Sequence, residues 1–533
     1  MAAGGGLALS SAQGRWTLLA TVAGSGMAFL DSTVVTVALP RIGTDLDAGV
    51  GGLQWVLNGY LVALSALILL GGSLGDRFGR RRAFVAGVVL FTAASAACAA
   101  APTILALVVA RVVQGVGGAL LTPGSLAILE ASFRLDDRAR AIGAWSGLSG
   151  VAAAIGPFLG GWLVDAASWR WIFLINLPIA ALLIGIALPH VPESSDPNAP
   201  RGVDVAGALA AAAGLGAWSW GLIAAGERGW GATAVWGPLL VGSAALAAFV
   251  VIERRRRYPM LPPGLFAVRQ FSAANLVTVA VYAALGGVFF LLVVHLQQVL
   301  DYSALEAGAA TLPITLVMLA LSSRSGALAH RIGPRLQMSA GPLVLAVGVL
   351  LVAYIDAGDS YLTSVLPAVL VMGLGLAATV APLTATALGS VEDRYAGIAS
   401  GVNTTVARAA QLAAVAALPV LAGITGDAYR DPAVFSDGFR TAMQVTAGLS
   451  VVGGLFGLAL VRNPVPVRPG GPVGVAVAEE VPVRAGARPG PEPEAGREPR
   501  HIERSEDWFC GVEGPPLGAC PRPAELPDDR PPD

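Results

Sequence analysis

Charge is scarce in this chain. Only 13% of its 533 residues are Asp, Glu, Lys or Arg, whereas a soluble globular chain carries about 25%. Lysine is absent, so all 34 basic residues are arginine. The formal net charge is −1, which excludes a global field that would draw nucleic acid. Cysteine is nearly missing as well. Cys98 lies in an apolar run, and Cys510 and Cys520 sit in a polar tail without metal-ligand spacing. A metal site is therefore not expected. No Ser-His-Asp set, metal-ligand cluster or phosphate-binding glycine loop stands out, so the chain does not read as an enzyme. There is no ATP-binding motif either. Energy for any work would come from an ion gradient, and no cofactor is expected. A secretory leader is also missing by pattern: Arg15 precedes the first apolar run, and no small-residue cleavage site follows it.

Apolar sequence is what the chain has in excess, at 55% of its residues. A membrane-crossing helix needs about 20 predominantly apolar residues. Fourteen such segments recur between residues 16 and 461. Arginine on the connecting loops sorts by parity. Arg77, Arg80 to Arg82, Arg134, Arg138, Arg140, Arg254 to Arg257, Arg331 and Arg335 fall on loops that follow even-numbered spans. The opposite loops hold Arg41, Arg170, Arg228, Arg430 and Arg440. Positive loops stay in the cytoplasm, so both termini are expected there. The chain then divides into a short cytoplasmic N-terminus (1–15), a six-helix bundle (16–190), a two-helix insertion (204–252), a second six-helix bundle (272–461) and a tail (462–533). The tail is rich in Pro, Gly, Glu and Arg and cannot bury a core. Charge alone does not separate fourteen spans from twelve, because spans seven and eight could leave together without changing the parity. The Ala- and Gly-rich, lysine-free composition suggests a GC-rich bacterial genome, and hence a multi-pass protein of the cytoplasmic (inner) membrane.

A short motif occurs twice. Gly72, Leu74, Asp76, Arg77, Gly79, Arg80 and Arg81 follow span two; Gly326, Leu328, His330, Arg331, Gly333 and Arg335 follow span ten. Internal repeats of this kind build many secondary transporters. The first copy resembles the loop motif of the major facilitator superfamily. Leu30-Asp31-Ser32-Thr33 with Ala38-Leu39-Pro40 resembles the first-helix signature of its fourteen-helix drug:proton antiporters, the EmrB/QacA type. Arg111, Gln114, Gly115 and Gly118 resemble the superfamily's fourth-helix motif. Gly156, Pro157, Gly160 and Gly161 resemble its fifth-helix antiporter motif, and Trp169 to Pro178 is also typical of the fourteen-helix group. The resemblance implies an all-α membrane fold of two six-helix bundles plus two extra central helices. It implies proton-coupled efflux of small, largely apolar drugs or metabolites by alternating access, with protons, a small-molecule substrate and the bilayer as partners and no obligate protein partner. An importer on the same fold, or a sensor that does not transport, are the alternatives. Thr36 departs from the family's asparagine, and the stretch after Arg408 is alanine-rich rather than glycine-rich.

Two residues carry the expected coupling. Asp31 is the only acid placed at mid-membrane, where a bare charge costs at least about 2.5 kcal/mol. It is either a proton carrier or half of a structural ion pair. Arg111, in span four, is its natural partner; the other reading of Arg111 is snorkelling to the surface. One mid-membrane acid suits neutral or monocationic substrates. Asn58, Gln114, Tyr282 and Arg408 are candidate cavity residues. Arg408 lies deep in span thirteen with no obvious acid nearby, so water, carbonyls or an anionic substrate satisfies it. His295 and Arg324, near span ends, are expected at the interface. The loop from Gly72 to Arg81 reads either as a topology signal or as a latch in which Asp76 binds an arginine in one state. Gly143, Gly147, Gly150, Ala154, Pro157 and Gly161 form one helical stripe suited to a close helix contact.

Overall fold

A computed structural model describes residues 6–197, 202–256, 259–392, 396–426 and 431–463. The expected tail, apart from Arg462 and Asn463, lies outside these residues, as do Cys510 and Cys520. Fourteen helices are long and apolar enough to cross a membrane. They are α1 (Ala12–Asp45), α2 (Val50–Phe78), α3 (Arg80–Ala99), α4 (Ile104–Ser132), α5 (Leu135–Ala166), α6 (Trp171–His190) and α7 (Val205–Arg228). Then come α8 (Thr233–Arg255), α9 (Arg269–Gln298), α10 (Ala304–Ile332), α11 (Pro334–Ala353), α12 (Tyr361–Gly389), α13 (Ala396–Leu421) and α14 (Pro432–Leu460). The shortest has 20 residues, which at 1.5 Å per residue spans about 30 Å, the hydrocarbon thickness. No strand occurs among the described residues. In lipid, backbone groups must bond within their own helix.

Sequence places the helix ends. Ser11 and Thr103 accept N–H bonds from the first turns of α1 and α4. Ser303 and Glu306 form a reciprocal capping box at the start of α10. Gly79 (φ 111°) ends α2 and starts α3, and Gly333 (φ 83°) does the same between α10 and α11. Both φ values lie where a side chain is disfavoured. The two copies of the loop motif thus make the same turn.

Helix packing repeats with the loops. In the first half α2 packs on α4, α3 on α4, α1 on α5 and α1 on α6. In the second half α10 packs on α12, α11 on α12, α9 on α13 and α9 on α14. Each pair reappears eight helices later, with α7 and α8 set aside. The contacts between halves obey the same exchange: α5 meets α10, and α13 meets α2. The α7–α8 hairpin breaks the symmetry. Its α7 packs on both α2 and α13, while α8 buries only Val235, Gly242 and Glu253.

One end of the molecule is closed. A single apolar core joins Val35, Leu39, Ile42 and Leu53 of the first half to Leu292, Leu296, Ala304 and Val415 of the second. Bonds across the halves cluster at this end. Gln54 donates to the carbonyls of Val415 (2.6 Å) and Ala416 (3.1 Å), and Gln297 donates to Val37 (3.0 Å). Asp165 of α5 accepts from the N–H groups of Ala304 and Leu305, at 3.3 and 2.8 Å. An acid from one half therefore caps the positive end of a helix in the other.

Candidate functional site

The glycine stripe of α5 is divided. A Cβ at Gly161 would strike the backbone of Ala304 and Leu305, and one at Gly308 would strike the Pro157 carbonyl. Here α5 and α10 touch backbone to backbone. On the other side of α5, Gly156 and Gly160 admit Thr33 and Val34 of α1. Toward the α2–α3 end the helices part: a Cβ on Gly143, Gly147 or Gly150 would meet no heavy atom within 4 Å. The expectation of one continuous seam holds only for the half from Pro157 to Gly161. A cavity of about 170 Å³ lies at the parted end, lined by Phe29, Trp145, Ser146, Ser149, Gly150 and Ala153.

Within the first bundle four helices converge on one carboxylate. Asp31 of α1 is fully buried. Arg111 Nη1 of α4 donates to Asp31 Oδ2 at 2.6 Å, and Gln114 Nε2 donates to Oδ1 at 2.8 Å. Asn176 Nδ2 of α6 donates to the same Oδ1 at 3.3 Å and to Ser95 Oγ of α3 at 2.9 Å. The Ser95 hydroxyl in turn donates to the Phe173 carbonyl at 3.0 Å. Arg111 is held on every side. Its Nη1 also donates to Gln114 Oε1 at 2.7 Å, its Nε to the Val56 carbonyl at 3.1 Å, and its plane lies 4.4 Å from the Tyr60 ring. Snorkelling is excluded, since Arg111 is 1% exposed. The pair survives burial because each charge meets its opposite and further donors or acceptors fill the remaining positions. Removing one member would strand the other in a medium that cannot solvate it.

The site differs from the sequence-based assignment in its neutral members. Gln114 does not line a cavity; it is fully buried and bridges Arg111 to Asp31. Ser95 and Asn176 were not singled out. Ser95 is one hydroxyl in an alanine-rich run and gives no sequence signal. Asn176 stands inside the Trp169–Pro178 stretch, just after α6 breaks at Ile175, and its place within that family-like stretch was the available hint. The other cavity candidates lie apart from this network. Asn58 is fully buried, and neither of its amide atoms has a hydrogen-bond partner. Arg408 is half-buried and donates to Gln411 Oε1 at 3.1 Å. Tyr282 packs partly buried against the main core.

The loop motif is clasped within its own bundle. Asp76 pairs with Arg80 at 2.8 Å, four residues on. Arg81 donates to the carbonyls of Leu188 and Val191 and lies 3.6 Å from Glu193. Arg77 lies over the Phe78 ring at 5.0 Å, and Gly72 faces Pro123 of α4. The second copy is held the same way: Arg335 donates to the Leu458 carbonyl at 2.9 Å, and its N–H to Asn463 Oδ1 at 3.0 Å. The His330 side chain lies outside the described residues. His295 is a correction. It is fully buried rather than interfacial, stacked 3.9 Å from Phe439 and bonded through Nε2 to the Ile355 carbonyl at 2.8 Å.

Comparison with known proteins identifies the family and the fold. The family model of the Major Facilitator Superfamily matches residues 21–415. The tetracenomycin C resistance and export protein of Streptomyces glaucescens is 35% identical over 428 residues, covering 79% of each chain. The multidrug resistance protein Stp of Mycobacterium tuberculosis is 36% identical, covering 72% of each. The puromycin resistance protein pur8 of Streptomyces alboniger is 37% identical over 73% of this chain and 77% of its own. Among solved structures, an auto-inhibited POT family peptide transporter superposes with a TM-score of 0.61 at 16% identity, over 85% of this chain and 98% of its own. A D-xylose–proton symporter gives 0.58 at 15%, over 84% and 98%. These structures share the fold, and the closer sequence relatives are export and resistance proteins. The chain is a multi-pass membrane protein that belongs to the drug-efflux family of the major facilitator superfamily.

Proposed function

We propose that the protein is a proton-coupled antiporter that exports small, largely apolar compounds across the cytoplasmic membrane of a bacterium by alternating access. The buried Asp31–Arg111 pair carries this reading. It is an ion pair at mid-span, in contact with four helices, and its charge balance changes with one proton. A proton on Asp31 cancels the charge that compensates Arg111. The pair would then loosen, since a buried cation without its anion is strongly unfavourable. Because α1 also packs on α5, and α5 on α10, the change reaches the contact between halves. The proton gradient would supply the energy, with no cofactor.

The arginine-rich loops put the parted end of α5 and α10 in the cytoplasm. On this reading α5 and α10 part on the cytoplasmic side, where α2 and α13 still touch through Leu69 and Gly401, and the Asp165 cap closes the far side. Two relatives, a tetracenomycin C resistance and export protein and a puromycin resistance protein, support outward transport. The test is gradient-driven dye efflux and substrate-induced proton release in inverted vesicles, for the intact chain and for Asp31→Asn. Loss of both in the variant, with membrane insertion unchanged, is the expected result. Full coupled efflux in Asp31→Asn would move the proton site elsewhere.

A further inference from the structure

The two arginines at mid-span have opposite surroundings. Arg111 is enclosed by Asp31, Gln114, a carbonyl and an aromatic ring. Arg408 is the thirteenth of the 26 residues of α13, so it too sits near mid-membrane. Its recorded polar partner is Gln411 Oε1, a neutral group from its own helix, and no ion pair to it is found among the described residues. A guanidinium stays protonated in proteins. Of the charges deepest in the described spans, Asp31 is already committed to Arg111, while Arg324 is exposed and lies eight residues before the end of α10. Arg408 is thus a half-buried cation with a neutral partner, on a helix that packs on both α2 and α9.

The surroundings of Arg408 are built for a polar ligand group. Gly286 of α9 lies against the backbone of Gln411, and Asn403 bonds to Asn275, so in these parallel helices Tyr282, one turn before Gly286, is level with Arg408. The register of α2 against α13 adds Asn58. Gln54 bonds to Val415 and Ala416, and Gly401 lies against Leu69. In antiparallel helices these contacts put Asn58 level with Gln411, the residue that holds Arg408. Asn58 is fully buried and its amide is unpartnered, which buried amides rarely are.

We infer that Arg408, with Gln411, Tyr282 and Asn58 around it, is an anion subsite where α13 packs between α2 and α9, and that it takes the carboxylate or phenolate of an otherwise apolar substrate. This rests on the exporter reading and sharpens its substrate class. The expectation of neutral or monocationic substrates assumed that Asp31 is free to attract a cation. In the structure Asp31 is occupied by three donors, and the unmatched charge is positive. Tyr60, whose ring covers Arg111, is within a turn of Arg408 in the same register of α2 on α13, so the anion subsite adjoins the proposed proton site.

The test uses the full chain in lipid nanodiscs, with binding to empty discs subtracted. The probes are 1-pyrenebutanoate, its uncharged amide and 1-pyrenebutylammonium. The carboxylate should bind about tenfold more tightly than the amide, as a charge-assisted bond to arginine allows, and the ammonium most weakly. Arg408→Gln should bring the carboxylate down to the level of the amide without changing the amide. Gln411→Glu neutralises Arg408 in place and should do the same, which covers the case in which Arg408→Gln does not fold. Equal binding of carboxylate and amide by the unaltered protein, or a carboxylate preference that survives either variant, overturns the subsite. Because binding needs no gradient, a carboxylate preference without proton-driven efflux keeps the subsite and removes only the exporter reading.

Discussion

The two bundles share a helix plan and a loop turn, yet treat charge at mid-membrane in opposite ways. In the first bundle an acid and an arginine from α1 and α4 are sealed together, and α3 and α6 add a serine and an asparagine to fill the remaining positions. In the second, α9 and α13 meet through neutral groups: Asn403 donates to Asn275 Oδ1 (3.2 Å) and Thr278 Oγ1 (2.9 Å). The arginine there is left with an amide from its own helix. A closed ion pair suits a group that must change charge without water. An open cation suits a group that must receive a ligand. The repeat supplies one scaffold twice, and the polar residues divide the tasks.

That contrast predicts unequal costs of removing charge. Asp31→Asn should lower stability by about 3–5 kcal/mol, the cost of stranding a buried partner. Asp31→Asn with Arg111→Gln should recover most of the loss, while efflux stays absent. Arg408→Gln, which strands nothing, should cost less than about 1 kcal/mol. Thermal unfolding of the purified variants checks all three. If the double variant is no more stable than Asp31→Asn, the pair is not the closed unit described.

The same comparison can be made along α5. Leucine at Gly161, where the backbones of α5 and α10 touch, should cost about 1–3 kcal/mol by overpacking. Leucine at Gly147, which faces open space in this state, should change stability by less than about 0.5 kcal/mol. It should nonetheless slow efflux if that face closes during the cycle. Equal stability losses at the two positions would contradict the divided seam. A smaller effect is expected at the closed end. Asp165→Ala removes the cap of α10 from the opposite half and should cost about 1 kcal/mol. Double electron–electron resonance between labels on α5 and α10 should show the closed end loosening.

Charged residues in apolar runs were legible without coordinates, because a charge there always demands an explanation. Asp31, Arg111 and Arg408 were found that way. Ser95 and Asn176 were not, because a neutral polar residue in a membrane helix satisfies itself in several ways and leaves no pattern. Gln114 shares a helical face with Arg111, but periodicity cannot say whether a face meets a cavity or another helix. His295 lies near a span end and was expected at the interface. It is buried because α14 brings Phe439 across its ring, a contact 144 residues away.

The sequence by itself determined the hydrophobic spans, the arginine bias of their loops and the repeat, since hydrophobic length, arginine placement and glycine turns act locally; that spans seven and eight are both helices long enough to cross came with the structure. Tertiary structure decided which polar groups meet: that Asp31 is enclosed by three donors, that Arg408 is not, and that one end is sealed while the other parts. Those outcomes depend on helix register and rotation, which a bilayer leaves open to packing because lipid is as apolar as the helix faces themselves.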